Sequence, residues 1–289
     1  MRGHLVVALA VMGVLSLQAQ AQSALERMKG RGQIVVTYRE DAAPFSFVKD
    51  GQPTGYSLEF CRAIVETLQK QPGMAKLKVA YTPVAVDRML TPVNEGSADL
   101  LCSGTSDNAA RRRLVAFSRP IYIDGLGVMV RRKDGIRSLA QLDGKKLAAI
   151  KGTTAVGELK DYQKAQKRSW KLEEVLNGDV GFSQLQLGWA SGYARDRVLL
   201  ALQRATSSAP DNFVILDERL SKESIAIAFR PDDAAMQSLV DGVIGSAIQS
   251  GKAAEWYERW FIKPIPLPGG SKALNVAMSD ALKAAFSGK

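Results

Sequence analysis

The chain has 289 residues, 46% hydrophobic and 24% charged, with 39 Lys and Arg against 29 Asp and Glu, and its single histidine is His4. That length suits two ordinary domains or one large one. A histidine confined to the first few positions excludes His-based triads, His acid–base chemistry and most zinc sites, and basic residues interleaved with acids (Arg131-Arg132-Lys133-Asp134, Lys160-Asp161) argue against a nucleic-acid stripe.

The N-terminus sets the compartment. A basic lead (Met1-Arg2-Gly3-His4), an apolar run over 5–17 and the small-x-small triplet Ala19-Gln20-Ala21 predict an export signal cut after about Ala21. No cysteine stands near that site to carry a lipid, and no later apolar run approaches the ~20 residues of a membrane span. Removing the signal takes away Arg2 and leaves 38 basic against 29 acidic residues, +9, a balance that favours anionic ligands.

Strands and helices then alternate. A β run over 33–38 is followed by an amphipathic helix over 56–69, a strand over 76–81, a helix over 86–95 closed by Gly96, and a strand over 98–102. Further on come strands over 125–131 and 147–150, a polar helix through Lys167, a strand over 171–176 and a helix near 182–187. A short strand over 192–195 leads to a helix from Asp196, a strong strand over 224–229, and helices over 232–249 and 252–261. The proline-rich stretch 263–268 predicts no regular structure. This order is that of an α/β protein. Cys61 shares the apolar face of the first helix with Leu58, Ile64, Val65 and Leu68, and Cys102 ends an apolar strand, so both point at a helix-on-sheet core. A disulfide between them adds about 3–4 kcal/mol in the chain-entropy model; two buried thiols are the alternative the residues leave open.

Residues 100–113 (Leu-Leu-Cys-Ser-Gly-Thr-Ser-Asp-Asn-Ala-Ala-Arg-Arg-Arg) read as strand, tight turn and helix start, with Thr105, Ser106, Asp107 and Asn108 as potential N-caps. Such a junction offers unpaired backbone N–H groups, the positive end of a helix, two hydroxyls and the fork of Arg111 to a carboxylate-sized anion. An ordinary turn with a solvated basic face accounts for the stretch taken alone. A second junction of the same kind, Ala149-Ile150-Lys151-Gly152-Thr153-Thr154, suggests two lobes facing one ligand. Glu158 and Leu159 stand where a phosphate loop needs Lys and Ser or Thr, and Gly125-Leu126-Gly127 lacks a third glycine and a following helix, so neither nucleotide motif is present.

Several motifs, in order from about Leu25 to the C-terminus, together carry a family resemblance. They are Ile-Val-Val-Thr-Tyr-Arg-Glu (34–40), Pro44-Phe45-Ser46-Phe47, Gly55-Tyr56-Ser57-Leu58, Gly96-Ser97-Ala98-Asp99, Ala116-Phe117-Ser118, Leu142-Asp143-Gly144-Lys145, Gly152-Thr153-Thr154 and Trp256-Tyr257-Glu258-Arg259-Trp260-Phe261. With the export signal, the chain resembles the periplasmic solute-binding proteins (family 3) of polar amino acid ABC transporters, above all those that bind glutamate and aspartate. The resemblance implies a two-lobe type II Venus flytrap with two hinge crossings, near Ile123-Asp124 and over 222–224. Lobe 1 is then residues 22–123 and 224–289, lobe 2 residues 124–223, and residues 1–21 the signal. It also implies a periplasmic monomer that uses no cofactor or metal, is not an enzyme, binds an amino acid and not nucleic acid, and docks on a membrane permease.

Residue by residue, the resemblance implies that Arg111 pairs the ligand's α-carboxylate with help from Thr105 and Ser106, that Thr153 and Thr154 donate from lobe 2, and that Asp196 takes the α-ammonium. Arg39 and Arg88 match the basic residues that hold a side-chain carboxylate. Taken on its own, Asp196 reads equally as the cap of the helix it starts. The chain departs from the family at Ala85 and Gly104, where the acidic-amino-acid binders carry Ser, and at Asn177, where they carry His. The Arg88-to-Gly96 stretch is also one residue longer than is usual in the family. Three cations (Arg39, Arg88, Arg111) against Asp196 lead to the expectation of an acidic side chain on the ligand. A dehydratase-like enzyme on the same fold, with Asp179 or Asp196 as general acid or base, is the alternative.

Overall fold

The computed structural model describes residues 23–231, 233–267 and 270–288, so the export signal expected over residues 1–21 lies outside the described residues. Ser23 and Glu26 form a capping box at the start of α1 (Ala24–Arg31). Next come β1 (Gln33–Tyr38), a meander of β2 (Asp41–Ala42), β3 (Ser46–Lys49) and β4 (Gln52–Thr54), then α2 (Tyr56–Gln69), β5 (Lys78–Pro83), α3 (Thr91–Glu95) and β6 (Leu100–Leu101). Short strands β7 (Ser106–Asp107), β8 (Ala116–Phe117) and β9 (Tyr122–Asp124) lead to β10 (Leu126–Arg131), β11 (Lys146–Ile150), α4 (Thr154–Ala165), β12 (Lys171–Val175) and α5 (Gly178–Leu187). The chain continues through β13 (Gly192–Asp196), α6 (Arg197–Thr206), β14 (Phe213–Ile215), β15 (Glu223–Ile225), β16 (Ala228–Phe229), α7 (Ala234–Gln249) and α8 (Lys252–Tyr257). The hairpin β17 (Ile265–Leu267) and β18 (Gly270–Lys272) and the helix α9 (Asp280–Ser287) complete it.

These elements make two five-stranded sheets, ordered β5-β1-β6-β16-β8 and β12-β11-β13-β10-β14, and a three-stranded ribbon β7-β15-β9 between them. Every strand of the second sheet lies between Leu126 and Ile215, whereas the first combines strands before Phe117 with the returning β16. The chain therefore passes between the sheets twice, along β9 and β15, which pair antiparallel with Glu223 opposite Asp124. Among the described residues, two adjacent extended strands thus carry the chain between the sheets.

The core of the first lobe is built where the spacing of α2 predicts. Leu58, Cys61, Ile64 and Leu68 are fully buried, each contributing on the order of 1.5–3 kcal/mol by leaving water. Cys61 is bonded to Cys102, with Cα atoms 6.4 Å apart, which ties α2 to the segment that runs on into Thr105 and Ser106. Beside it Phe45, Tyr56, Tyr122, Tyr257 and Phe261 pack edge-on and stacked, and the Tyr56 hydroxyl donates to the Ile121 carbonyl at 2.8 Å. The passage at β9 thus leaves a rigid aromatic base.

Several expectations are corrected. The single helix expected over 86–95 is a short turn at Val86–Arg88 followed by α3, because Pro92 lacks the N–H and clashes with the preceding turn. The helix expected after Ala109 does not form. Ser106 and Asp107 pair with Ile225 and Ser224 as a ribbon strand, and only one turn, Arg111–Arg113, follows before β8. The run over 224–229 changes partners in its middle, from β7 and β9 to β6 and β8, and so becomes two strands. Pro266 lies in the edge hairpin β17–β18, where its missing N–H costs no ladder bond in a wider sheet.

Candidate functional site

The segment after Cys102 crosses the end of the first sheet and carries three of the expected site residues. Thr105 is fully buried. Its carbonyl accepts from the Ala226 N–H at 3.1 Å, but its Oγ1 has no hydrogen-bond partner. A buried hydroxyl without a partner loses the full cost of desolvation unless something binds it. Ser106 is buried beside it, and its carbonyl accepts from Arg111 Nη1 at 2.9 Å. Arg111 is 9% exposed and its Nη2 also reaches the carbonyl of Gly152, in the other lobe, at 3.4 Å. Burial pulls its pKa down, opposed by the charges of Glu223 and Asp196 and reinforced by that of Arg39. With the expected helix absent, what this segment can offer an anion is the guanidinium and hydroxyls and not a helix terminus.

The facing wall comes from the second lobe. Thr153 stands at the N-terminus of α4, its hydroxyl turned back to the Ile150 carbonyl at 2.7 Å; Thr154 donates to Glu223 Oε2 at 2.8 Å. Glu223, 7% exposed on the crossing strand β15, also accepts from Ser221 Oγ at 2.9 Å. The second junction is thereby tied to the hinge. Gly152 has φ +81°, and a methyl group there would stand 2.8 Å from Asp87 Cα of the first lobe, so only glycine allows this approach.

Asp196 ends β13 at the start of α6 but does not cap it; the Val198 N–H is taken at 2.9 Å by Asp124 Oδ2 from β9. Its carboxylate is thus free of the capping role, and its own backbone N–H favours the charged form. Burial raises its pKa to about 7, with the negative charges of Glu223 and Asp124 adding to the effect. The Asp196 charge acts on Arg111, and the two form no ion pair.

Arg39 follows β1 and is 3% exposed, its Nε and Nη2 each 2.9 Å from an oxygen of Asp41. Asp41 is held below its ordinary pKa. Burial alone would raise it, but the charges of Arg39 and Arg195, the Arg39 hydrogen bonds and the Gly178 N–H outweigh that. Arg195, 7% exposed on β13, crosses the cleft to donate to the Asp41 carbonyl at 2.7 Å. Gly178 makes room for it, since a methyl group there would lie 2.6 Å from Arg195 Nη1. Between the lobes a groove of about 500 Å³ opens over Asp41, Ala85, Asp87, Lys151, Asn177 and Asp179.

The structure does not bring Arg88 into this group. Because Pro92 interrupts the helix, Arg88 sits exposed on the short turn and faces a depression lined by Thr82, Thr91, Pro92 and Ser97 on the first lobe. Three residues join the cleft that sequence reasoning did not single out: Asp41, Arg195 and Glu223. Asp41 follows Arg39 by two in an extended segment, which places both on one side, and Arg195 precedes Asp196. Those are the signals that could have found them. Two of the departures have local causes. A methyl group at Gly104 would stand 2.8 Å from the Phe45 ring, and Asn177 caps α5 by accepting the Val180 N–H at 3.0 Å. Asp179 is exposed at the groove.

A family model described as bacterial extracellular solute-binding proteins, family 3, matches residues 34–263. The chain is 31% identical over 267 residues to a glutamate/aspartate import solute-binding protein of Escherichia coli (strain K12), covering 92% of this chain and 88% of that protein. An L-glutamate/L-aspartate-binding protein of Pseudomonas aeruginosa is 30% identical over 261 residues, 90% of this chain and 86% of that one. Among solved structures, a mutant of ArgBP from T. maritima superposes with a TM-score of 0.72 at 24% identity, covering 82% of this chain and 98% of that one. The ancestral amino acid-binding protein AncCDT-1, a precursor of cyclohexadienyl dehydratase, gives 0.71 at 24%, covering 83% and 99%. These structural likenesses show the fold. Among the described residues, no helix is long and apolar enough to cross a membrane.

Proposed function

Because the chain belongs to the family 3 bacterial extracellular solute-binding proteins, we propose that it binds an acidic or similarly polar amino acid outside the cytoplasm and delivers it to the permease of an ABC transporter. The observation that carries the reading is the buried Arg111 on one lobe, reaching the Gly152 carbonyl of the other, with the charge of Asp196 from that second lobe acting on it and no ion pair between them. A free amino acid carries a carboxylate and an ammonium on one carbon and fits between two such groups. Thr105, Ser106, Thr153 and Thr154 line the same approach, and the unpartnered Thr105 Oγ1 suits a ligand carboxylate oxygen. An acidic side chain is supported by the relatives and by the buried Arg195, which forms no ion pair among the described residues; Arg39 is already paired with Asp41. Arg88 does not contribute to it.

In this reading the lobes, residues 22–123 with 224–289 and residues 124–223, close as rigid bodies about β9 and β15. The mature protein starts after about Ala21, lies in the periplasm and acts as a monomer. It returns its ligand unchanged; Asp196 binds the ligand, and neither it nor Asp179 catalyses. A thermal-shift screen over the amino acids tests this, because a ligand at 1,000 times its Kd adds about 4 kcal/mol of stability. Failure of every polar amino acid to shift the transition, or recovery of a converted product, rejects it.

A further inference from the structure

Of the buried cleft arginines Arg39, Arg111 and Arg195, Arg39 alone is ion-paired among the described residues, and its partner comes from its own lobe two residues away. Asp41 engages it through both carboxylate oxygens at 2.9 Å, side-on, as a bound dicarboxylic ligand would. The same carboxylate receives the Gly178 N–H at the start of α5, while the Asp41 carbonyl receives Arg195 at 2.7 Å. Its side chain is 32% exposed and forms part of the interlobe groove. The protein therefore supplies, from within, an anion that stands between Arg39 and the groove-lining surface.

We propose that Asp41 is a specificity-determining residue of the cleft: it presents to Arg39 the carboxylate that an acidic ligand side chain would otherwise present, so that the protein distinguishes acidic amino acids only weakly from their amides. The inference rests on the amino-acid-binding reading above. A ligand carboxylate that reaches Arg39 must stand beside Asp41 or displace it, and two like charges at hydrogen-bonding separation from one guanidinium repel. An amide side chain meets no such repulsion. With Asp41 removed, Arg39 is left almost fully buried next to Arg195 with only the negative charge of Asp196 acting on it from the protein, so a ligand carboxylate becomes its direct counter-ion.

Calorimetric titration of L-glutamate and L-glutamine into the wild type, Asp41→Asn, Asp41→Ala and the double variant Asp41→Ala with Arg39→Met tests this. Asp41→Asn keeps the size of the side chain and the backbone carbonyl that Arg195 uses, which preserves the fold. The wild type is expected to bind the two ligands within about tenfold of each other, and both single variants to shift the ratio toward glutamate by at least tenfold, a gain of about 1.4 kcal/mol in preference. The shift is expected to vanish when Arg39 is also replaced. A wild-type preference for glutamate of a hundredfold or more, an unchanged ratio in Asp41→Asn, or a shift that persists without Arg39 overturns the inference. A wild type that binds neither ligand, nor any other amino acid, rejects the binding reading itself.

Discussion

Amino acid binding should weaken as pH falls through neutrality, and Asp196 is the cause. Its carboxyl is raised to about 7 by burial and by the charges of Glu223 and Asp124, with Arg195 opposing. A raised carboxyl holds its proton in the folded, ligand-free protein, and only the ionised form can pair with an α-ammonium. At pH 6 about one molecule in ten carries the ionised form, so the apparent Kd should be about tenfold higher than at pH 8, about 1.4 kcal/mol, and binding should release close to one proton. Calorimetry in buffers of different ionisation enthalpy reads both quantities. Asp196→Asn should abolish the pH dependence and the proton release together, at a loss of about 2–4 kcal/mol in affinity at pH 8. An affinity flat between pH 6 and 8, or the same profile in Asp196→Asn, refutes the assignment of Asp196 to the ammonium. The sign for stability is the reverse of that for a depressed carboxyl: ligand-free protein loses stability as pH rises from the ordinary carboxylate range through about 7 at Asp196. At Asp41, whose pKa is lowered, stability is lost instead as pH falls below that range.

Arg111→Ala should cost at least about 2–4 kcal/mol of ligand binding by calorimetry, and it should also lower the melting temperature, since the fields of Asp196 and Glu223 lose a counter-charge; wild-type affinity would contradict its role. Reducing the Cys61–Cys102 bond, or replacing both with serine, should remove about 3 kcal/mol of stability and lower the melting temperature by roughly 6–12 °C, with alkylation of unreduced, denatured protein finding no free thiol. Gly152→Ala combines a left-handed backbone with a methyl group 2.8 Å from Asp87 Cα, so it should oppose lobe closure. We expect at least tenfold weaker binding with a stability change of only about 1 kcal/mol, and unaltered affinity would show that this approach is not part of the bound state.

How much of this was legible depends on whether a residue's fate is decided locally. The helix Tyr56–Gln69 was read to the residue because its apolar spacing and its burial are the same fact; Cys61 and Cys102 were both legible as core-facing, and the bond between them comes from the structure. Thr153, Thr154 and Gly152 were legible as a strand-to-helix junction for the same reason. The stretch around Ser106 was not, because its strand character is conferred by pairing with β15, more than a hundred residues away. Arg88 was assigned by resemblance across a stretch one residue longer than in the family, and it lies exposed on the short turn before Pro92. Asp41, Arg195 and Glu223 escaped because a charged residue at a strand end is ordinary until the opposite lobe is placed over it. Asp196 could be separated from a mere helix cap only by seeing Asp124 perform that task.

The central claim is that Arg111 and Asp196 hold the two charges of one amino acid. Titration of L-glutamate beside glutarate, which lacks the ammonium, and γ-aminobutyrate, which lacks the α-carboxylate, tests it most directly. The account predicts saturable binding of glutamate and at least roughly thirtyfold weaker binding of both analogues, because each leaves one buried charge unanswered. Either analogue binding as tightly as glutamate would contradict it.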